Sequence, residues 1–192
     1  MDIARTGEVV WYVTGRFYST TSTPAKLLDV GYFLHLQGID APLFADKQRS
    51  ESTAFFTFAA EPFTAPSISN GGLDVGLDAR GTFRLYLRDV PRASFDDPMS
   101  FAQGVCIGTF ERVAIVPTVK VGISSSATLL SNVFTARLVA SQRFRFTGVE
   151  YDLADLIGFG ITQWGTAATE TLTPPAGYGA VVPFVGSAIR VG

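Results

Sequence analysis

Large apolar residues and polar or small ones alternate along most of this chain with a period of two. That period, not 3.6, predicts strands. From Glu8 to Thr20, Val9, Trp11, Val13 and Phe17 alternate with Val10, Tyr12, Arg16 and Tyr18. From Val30 to Leu36, one face carries Val30, Tyr32, Leu34 and Leu36, and the other carries Phe33, His35 and Gln37. Gly81 to Val90 is the clearest case, with Phe83, Leu85 and Leu87 opposing Arg84, Tyr86 and Arg88. Ser52 to Ala60 holds Phe55, Phe56 and Phe58. Val105 to Val121, interrupted by Gly108 and Pro117, reads as two strands or one bent strand. Asn132 to Tyr151 is the longest strand pattern, and Phe159 to Ala167 and Ala180 to Val191 complete the set. Helix is predicted at two places only. One is a turn at Pro24 to Asp29; the other is Tyr151 to Ile157, with Asp152 as its cap and Gly158 as its stop.

About eight strands with so little helix predict an all-β fold in one domain, residues 1–192. Glycines inside the strand patterns (Gly15, Gly31, Gly108, Gly148) favour a closed antiparallel β-barrel, because tight coiling at barrel corners demands them. The alternative is a β-sandwich or jelly roll. Asp40 to Ser52, Glu61 to Arg80 and Thr166 to Gly179 read as long loops at one end of the barrel. A chain of 192 residues buries roughly 70% of its unfolded surface, enough for a core without staples.

Composition narrows the function classes. Hydrophobic residues make up 47% and charged residues 17%, which argues against long disorder. The net charge of −2 supplies no basic field for general nucleic-acid binding. This holds although Arg137, Arg143 and Arg145 interleave with Phe144 and Phe146. One cysteine, Cys106, and one histidine, His35, exclude a disulfide framework, a Cys/His zinc site and a two-histidine iron site. No metal and no cofactor is expected. No basic segment followed by an apolar one opens the chain, and no apolar run approaches a membrane span. The expectation is a cytoplasmic protein without a membrane partner.

The candidate chemistry rests on the aromatic load of 16 Phe, 6 Tyr and 2 Trp. An eight-stranded barrel is just wide enough to be filled by side chains or to hold one small ligand. If hollow, its lining is expected from Trp11, Tyr32, Phe55, Phe58, Tyr86 and Trp164, with Arg137 able to meet negative charge. His35 is the one side chain that titrates near neutrality when unperturbed. It would act as acid or base if it points inward with Phe33, and is otherwise structural. Glu150, ending the longest strand pattern, is the carboxylate expected to move a proton at a barrel mouth. The plainer role for its neighbour Asp152 is a helix cap. Asp96-Asp97-Pro98 reads as a turn rather than a cation site. If buried, Glu111 would pair across the sheet with Arg84, Arg88, Arg137 or Arg143, a structural role. Asn70-Gly71-Gly72 reads as a hairpin turn, not a phosphate loop.

The stretch from Ser100 to Glu111 (SFAQGVCIGTFE) resembles the glycine-containing hairpin and G-x-F-E strand of allene oxide cyclase and dirigent-type barrels. The likeness covers a dozen residues. It implies an eight-stranded barrel that guides a reactive intermediate without a cofactor, and it carries no catalytic residue across.

Two functions follow. The first is a barrel that binds a small, largely apolar molecule in its lumen, as a carrier or as a cofactor-independent isomerase or cyclase using Glu150 or His35. The second is a non-catalytic structural or oligomerisation module with a filled barrel. The low charge and the apolar run Val181 to Gly186 suit the second, as a homo-oligomer interface. An open lumen would mark the first, and a filled lumen with an apolar outer patch the second.

Overall fold

A computed structural model describes residues 4–61, 67–70, 73–76, 81–124, 127–168 and 172–192; for 67–70, 73–76, 114–124, 127–131 and 168 it describes the backbone alone. The strands are β1 (Val9–Thr20), β2 (Leu27–Leu36), β3 (Phe56–Ala60), β4 (Ser67–Asn70), β5 (Leu73–Gly76), β6 (Gly81–Leu87), β7 (Val105–Ser124), β8 (Ala127–Ser141), β9 (Phe144–Phe146), β10 (Val149–Tyr151), β11 (Gly160–Ala168) and β12 (Tyr178–Val191). A 3-10 turn spans Pro98–Ala102, and one short helix, α1, spans Leu153–Ile157.

Eight strands close an antiparallel barrel in the order β1-β2-β3-β6-β7-β8-β11-β12, with β12 returning to β1. Neighbours in the barrel follow one another in the chain, so this is an up-and-down meander, and closure leaves its paired segments without edges. On β6 the inward positions are those the alternation grouped together, Phe83, Leu85 and Leu87; on β1, Trp11 and Val13 face inward as grouped, but a register shift between Val9 and Trp11 puts Val10 rather than Val9 in the core. On β1 and β2, Gly15 pairs with Gly31. A Cβ on Gly31 would stand 2.2 Å from the Thr14 carbonyl oxygen and 2.7 Å from the Phe58 ring. Glycine there lets the Phe58 ring reach the wall.

One end of the barrel is plugged. The β9–β10 hairpin and α1 bring Phe144, Phe146, Leu153, Leu156 and Ile157 into the same core as the lumen residues. Phe146 packs edge-on against Phe56 and Phe55, at 4.8 and 5.4 Å between ring centroids. Asp152 caps α1, accepting a hydrogen bond from the Ala154 N–H at 2.9 Å, as the sequence predicts.

Outside the barrel, the segment leading through the 3-10 turn lies over β1, β2 and β3. Phe95 and Phe101 cover Tyr18, Leu28, Val30 and Tyr32 and form a second core. Thr57 donates to the Phe101 carbonyl at 2.8 Å, and Tyr18 donates its hydroxyl to the Phe95 carbonyl at 2.8 Å. Burial pushes the Tyr18 phenol up to about 12.

Several expectations are corrected. The pattern from Asn132 to Tyr151 is three strands, because Thr147 and Gly148 both take positive φ (47° and 86°) and turn the chain into the β9–β10 hairpin. Pro24 to Asp29 is no helical turn: Leu28 and Asp29 already pair with Tyr18 and Phe17 of β1. Of the two readings of Val105 to Val121, the single strand is the one found: the segment lies in β7, whose register with β8 shifts repeatedly. Asp40 to Ser52 connects β2 to β3 at the plugged end, whereas the connections after β3 and β11 leave from the opposite end. Asn70 does pair with Leu73, while residues 71 and 72 lie outside the described residues. Among the described residues, no helix is long and apolar enough to cross a membrane.

Candidate functional site

The lumen is where a barrel would hold a ligand. Phe83 and Phe110 stack at 4.8 Å with their planes 7° apart, and Trp11 meets both rings edge-on at 6.4 and 5.7 Å. Phe33 closes on Trp11 at 5.5 Å and on Phe58 at 5.7 Å. These are the offset or perpendicular geometries that aromatic quadrupoles favour. Among these rings sits a buried ion pair. Arg112 donates from Nη2 to Asp29 Oδ2 at 2.6 Å, and both side chains are about 95% or more buried. The guanidinium carbon stands 4.9 Å from the Phe134 ring centroid and 5.5 Å from that of Phe83, cation–π range in a dry setting. Trp11 Nε1 donates to Gln163 Oε1 at 2.9 Å. Asp29 Oδ1 accepts no hydrogen bond among the described residues. The space left between these groups is about 10 Å³. That is the threshold for a single water and far below the volume of a small-molecule site.

Of the residues the sequence nominates, Trp11 and Phe58 face this lumen. Both are committed to packing, and Trp11 also to Gln163. The others do not converge there. Tyr32 points outward into the second core, 6.0 Å from Phe44 and 6.2 Å from Phe95. Phe55 packs under the plug against Phe146. Tyr86 faces outward opposite Cys106. Burial holds the phenols of both Tyr32 and Tyr86 above their ordinary range, so both are protonated at neutral pH. Arg137 is exposed on β8, in register with Glu111 of β7, which is itself exposed rather than the buried carboxylate of a charge ladder. Trp164 is exposed on the outer wall.

His35 faces away from the lumen. Tyr12 pairs with His35 while Val13 pairs with Phe33, so Leu34 is a bulge residue and the alternation inverts after it. His35 lies 5.9 Å from the Tyr12 ring on the outside. Glu150 sits on the exposed β9–β10 hairpin, 3.4 Å from Arg143, with half of its side chain in water. The buried carboxylate at a barrel mouth that the sequence suggests is not at this position.

Asp29 and Arg112 are not among the residues the sequence nominates, although a signal exists for both. Alternation sets Asp29 on the face of Gly31 and Phe33, and Arg112 on the face of Phe110; a charge on an inward face calls for a partner on another strand. Outside the barrel, His35 borders a cleft of about 430 Å³ between the end of β2 and the loop through Phe44 to Arg49. Its wall is Leu36, Ile39 and Leu43, and its charged groups are Asp46, Lys47 and Arg49. Among the described residues, no cluster of His, Cys, Asp and Glu could hold a metal ion.

Comparison with known proteins adds no candidate: no family model matches the chain, and no curated protein and no solved structure matches it.

Proposed function

We propose that this chain is a non-catalytic assembly module whose filled barrel is a rigid body presenting its outer wall to another copy. The observation that carries this reading is the described part of the lumen: the gap between Trp11, Phe33, Phe58, Phe83 and the Arg112–Asp29 pair is about 10 Å³. Small-molecule sites occupy about 300–1,000 Å³. A carrier needs that space, and a lumenal isomerase needs a proton-moving group in it as well; the lumen's own carboxylate, Asp29, is held by Arg112. Glu150 and His35 stand outside. A rigid scaffold needs neither. The plug at one end and the strap through Phe95 and Phe101 add stiffness without adding a cavity.

The test pairs organic extraction of gently purified protein with light scattering across a dilution series. The reading expects an extract free of stoichiometric small molecule and a mass that is a multiple of 20.6 kDa. A bound molecule at one per chain with a monomeric mass would overturn it.

A second reading rests on the His35 cleft, whose volume lies within the range of ligand sites. There the small, largely apolar molecule would bind against Leu34, Ala41 and Phe44, which keep surface on the outside of the barrel. Chemical-shift changes confined to these residues on titration with an apolar probe such as naphthalene would support it; their absence at saturation would remove it.

A further inference from the structure

The bulge at Leu34 does more than turn His35 out of the lumen. Leu34 and His35 are consecutive, yet both are exposed, where strict alternation would send one of them inward. Bulges re-aim side chains in this way beside functional sites. Both residues border the cleft of about 430 Å³ at the end of β2. The loop from Ala41 to Arg49 forms its other wall, and that loop is braced. Phe44 bridges to Ala54, the Ala45 N–H donates to the Thr53 carbonyl at 2.9 Å, and the Phe55 N–H donates to the Leu43 carbonyl at 3.0 Å. The Phe44 ring stands edge-on to Tyr32 at 6.0 Å. The cleft is therefore built before any ligand arrives, as small-molecule sites usually are.

The charges on this cleft do not balance. Lys47 and Arg49 line it, and among the described residues neither side chain is in an ion pair or a hydrogen bond. Asp46 is the carboxylate on the same lining, and its Oδ1 already accepts from the Lys47 backbone N–H at 2.5 Å. Asp40 opens on the neighbouring cleft with Thr147 and Tyr151. Glu51 lies towards Tyr32, whose phenol its charge helps to raise. Two cations against one carboxylate leave one positive charge in excess, beside the apolar surface of Leu34, Ala41 and Phe44. We infer that the cleft takes a small organic monoanion, a carboxylic acid whose apolar body lies on Leu34, Ala41 and Phe44 and whose carboxylate meets Lys47 and Arg49. The inference rests on the second reading above and names its ligand class. Charge and shape both select it. One negative charge neutralises the excess, whereas a neutral molecule leaves it unpaired and a cation adds to it. The planar fork of Arg49 matches a carboxylate with two parallel hydrogen bonds. The site lies outside the barrel, so a filled lumen does not compete with it.

Titration calorimetry with 2-naphthoate and its neutral counterpart 2-naphthamide at low ionic strength tests this, with two-dimensional NMR locating the site. Wild type is expected to bind the carboxylate about tenfold tighter than the amide, as two screened surface ion pairs acting together allow, with shifts at Leu34, Ala41 and Phe44. The double variant Lys47→Gln, Arg49→Gln is expected to bring the two probes to within about twofold of each other, and so is wild type in about 0.5 M salt. Arg137→Gln, on β8 at the opposite side of the barrel from β2, is expected to keep the preference. Should the double variant not fold, the salt dependence carries the test. Equal affinity for the two probes in wild type, or a preference that survives the double variant or the salt, would overturn the anion assignment and leave the cleft reading standing. Shifts away from the cleft, or no binding of either probe, would overturn both.

Discussion

Replacing Phe110 by alanine tests whether the lumen is as full as its geometry implies. Phe110 is 0% exposed, stacked on Phe83 at 4.8 Å and capped edge-on by Trp11 at 5.7 Å. Losing the ring forfeits about 2–3 kcal/mol of apolar burial. An unrelaxed void of roughly 100 Å³ costs about 2 kcal/mol more at the established cavity slope. A closed eight-stranded wall resists collapse onto such a void, because each strand is held on both sides. The expected loss is therefore about 4–5 kcal/mol, at the upper end for Phe→Ala in cores and a large share of a domain's 5–15 kcal/mol. Urea unfolding followed by far-UV circular dichroism reads it from the midpoint at constant slope. The variant should also gain a site for benzene, seen as a rise in its melting temperature that wild type lacks. A loss under about 1.5 kcal/mol, with no benzene response, would refute the packing argument, since a slack lumen tolerates truncation.

Three further outcomes follow from the same structure. Asp29→Asn should cost about 3–5 kcal/mol in urea unfolding, whereas replacing Asp29 and Arg112 together by Leu and Met should recover most of it, because breaking a buried pair costs more than removing it whole; equal losses in both variants would contradict this. Gly31→Ala should cost about 1–3 kcal/mol, since the added Cβ meets the Thr14 carbonyl and the Phe58 ring; an unchanged midpoint would mean the β1–β2 approach is looser than described. Tyr18 has its phenol raised from 10.0 to about 12 in the folded state, chiefly by burial. Its contribution is therefore fully present below pH 10 and lost as pH rises through 12, so Tyr18→Phe should flatten that part of the alkaline unfolding curve; an identical slope in wild type and variant would contradict the assignment.

Much of the fold is legible in the sequence because a barrel enforces period two. β6 reads directly: Phe83, Leu85 and Leu87 face inward and Arg84 and Tyr86 outward. The Asp152 cap and the Gly158 stop are local chemistry and appear where the sequence puts them. What eludes the sequence is non-local or hinges on one residue. The bulge at Leu34 turns His35 out, and the turn at Thr147-Gly148 carries Glu150 away from the barrel wall. Tyr32 looks like a lining residue because it is aromatic, and Tyr18 shares its outer face. They are buried on the outer face instead, under a strap whose course over β1 and β2 no alternation encodes. Trp164 reads as a pocket residue for the same reason and stands in solvent. Asp29 and Arg112 are 83 positions apart, so their pairing depends on barrel closure, which alternation alone does not specify.

Native mass spectrometry of protein purified under gentle conditions tests the central claim most directly, because one spectrum reads both stoichiometry and retained small molecules. The filled barrel as an assembly module predicts a ligand-free homo-oligomer at an integer multiple of the 20.6 kDa chain. A monomer carrying a small molecule, released only on unfolding, would contradict it.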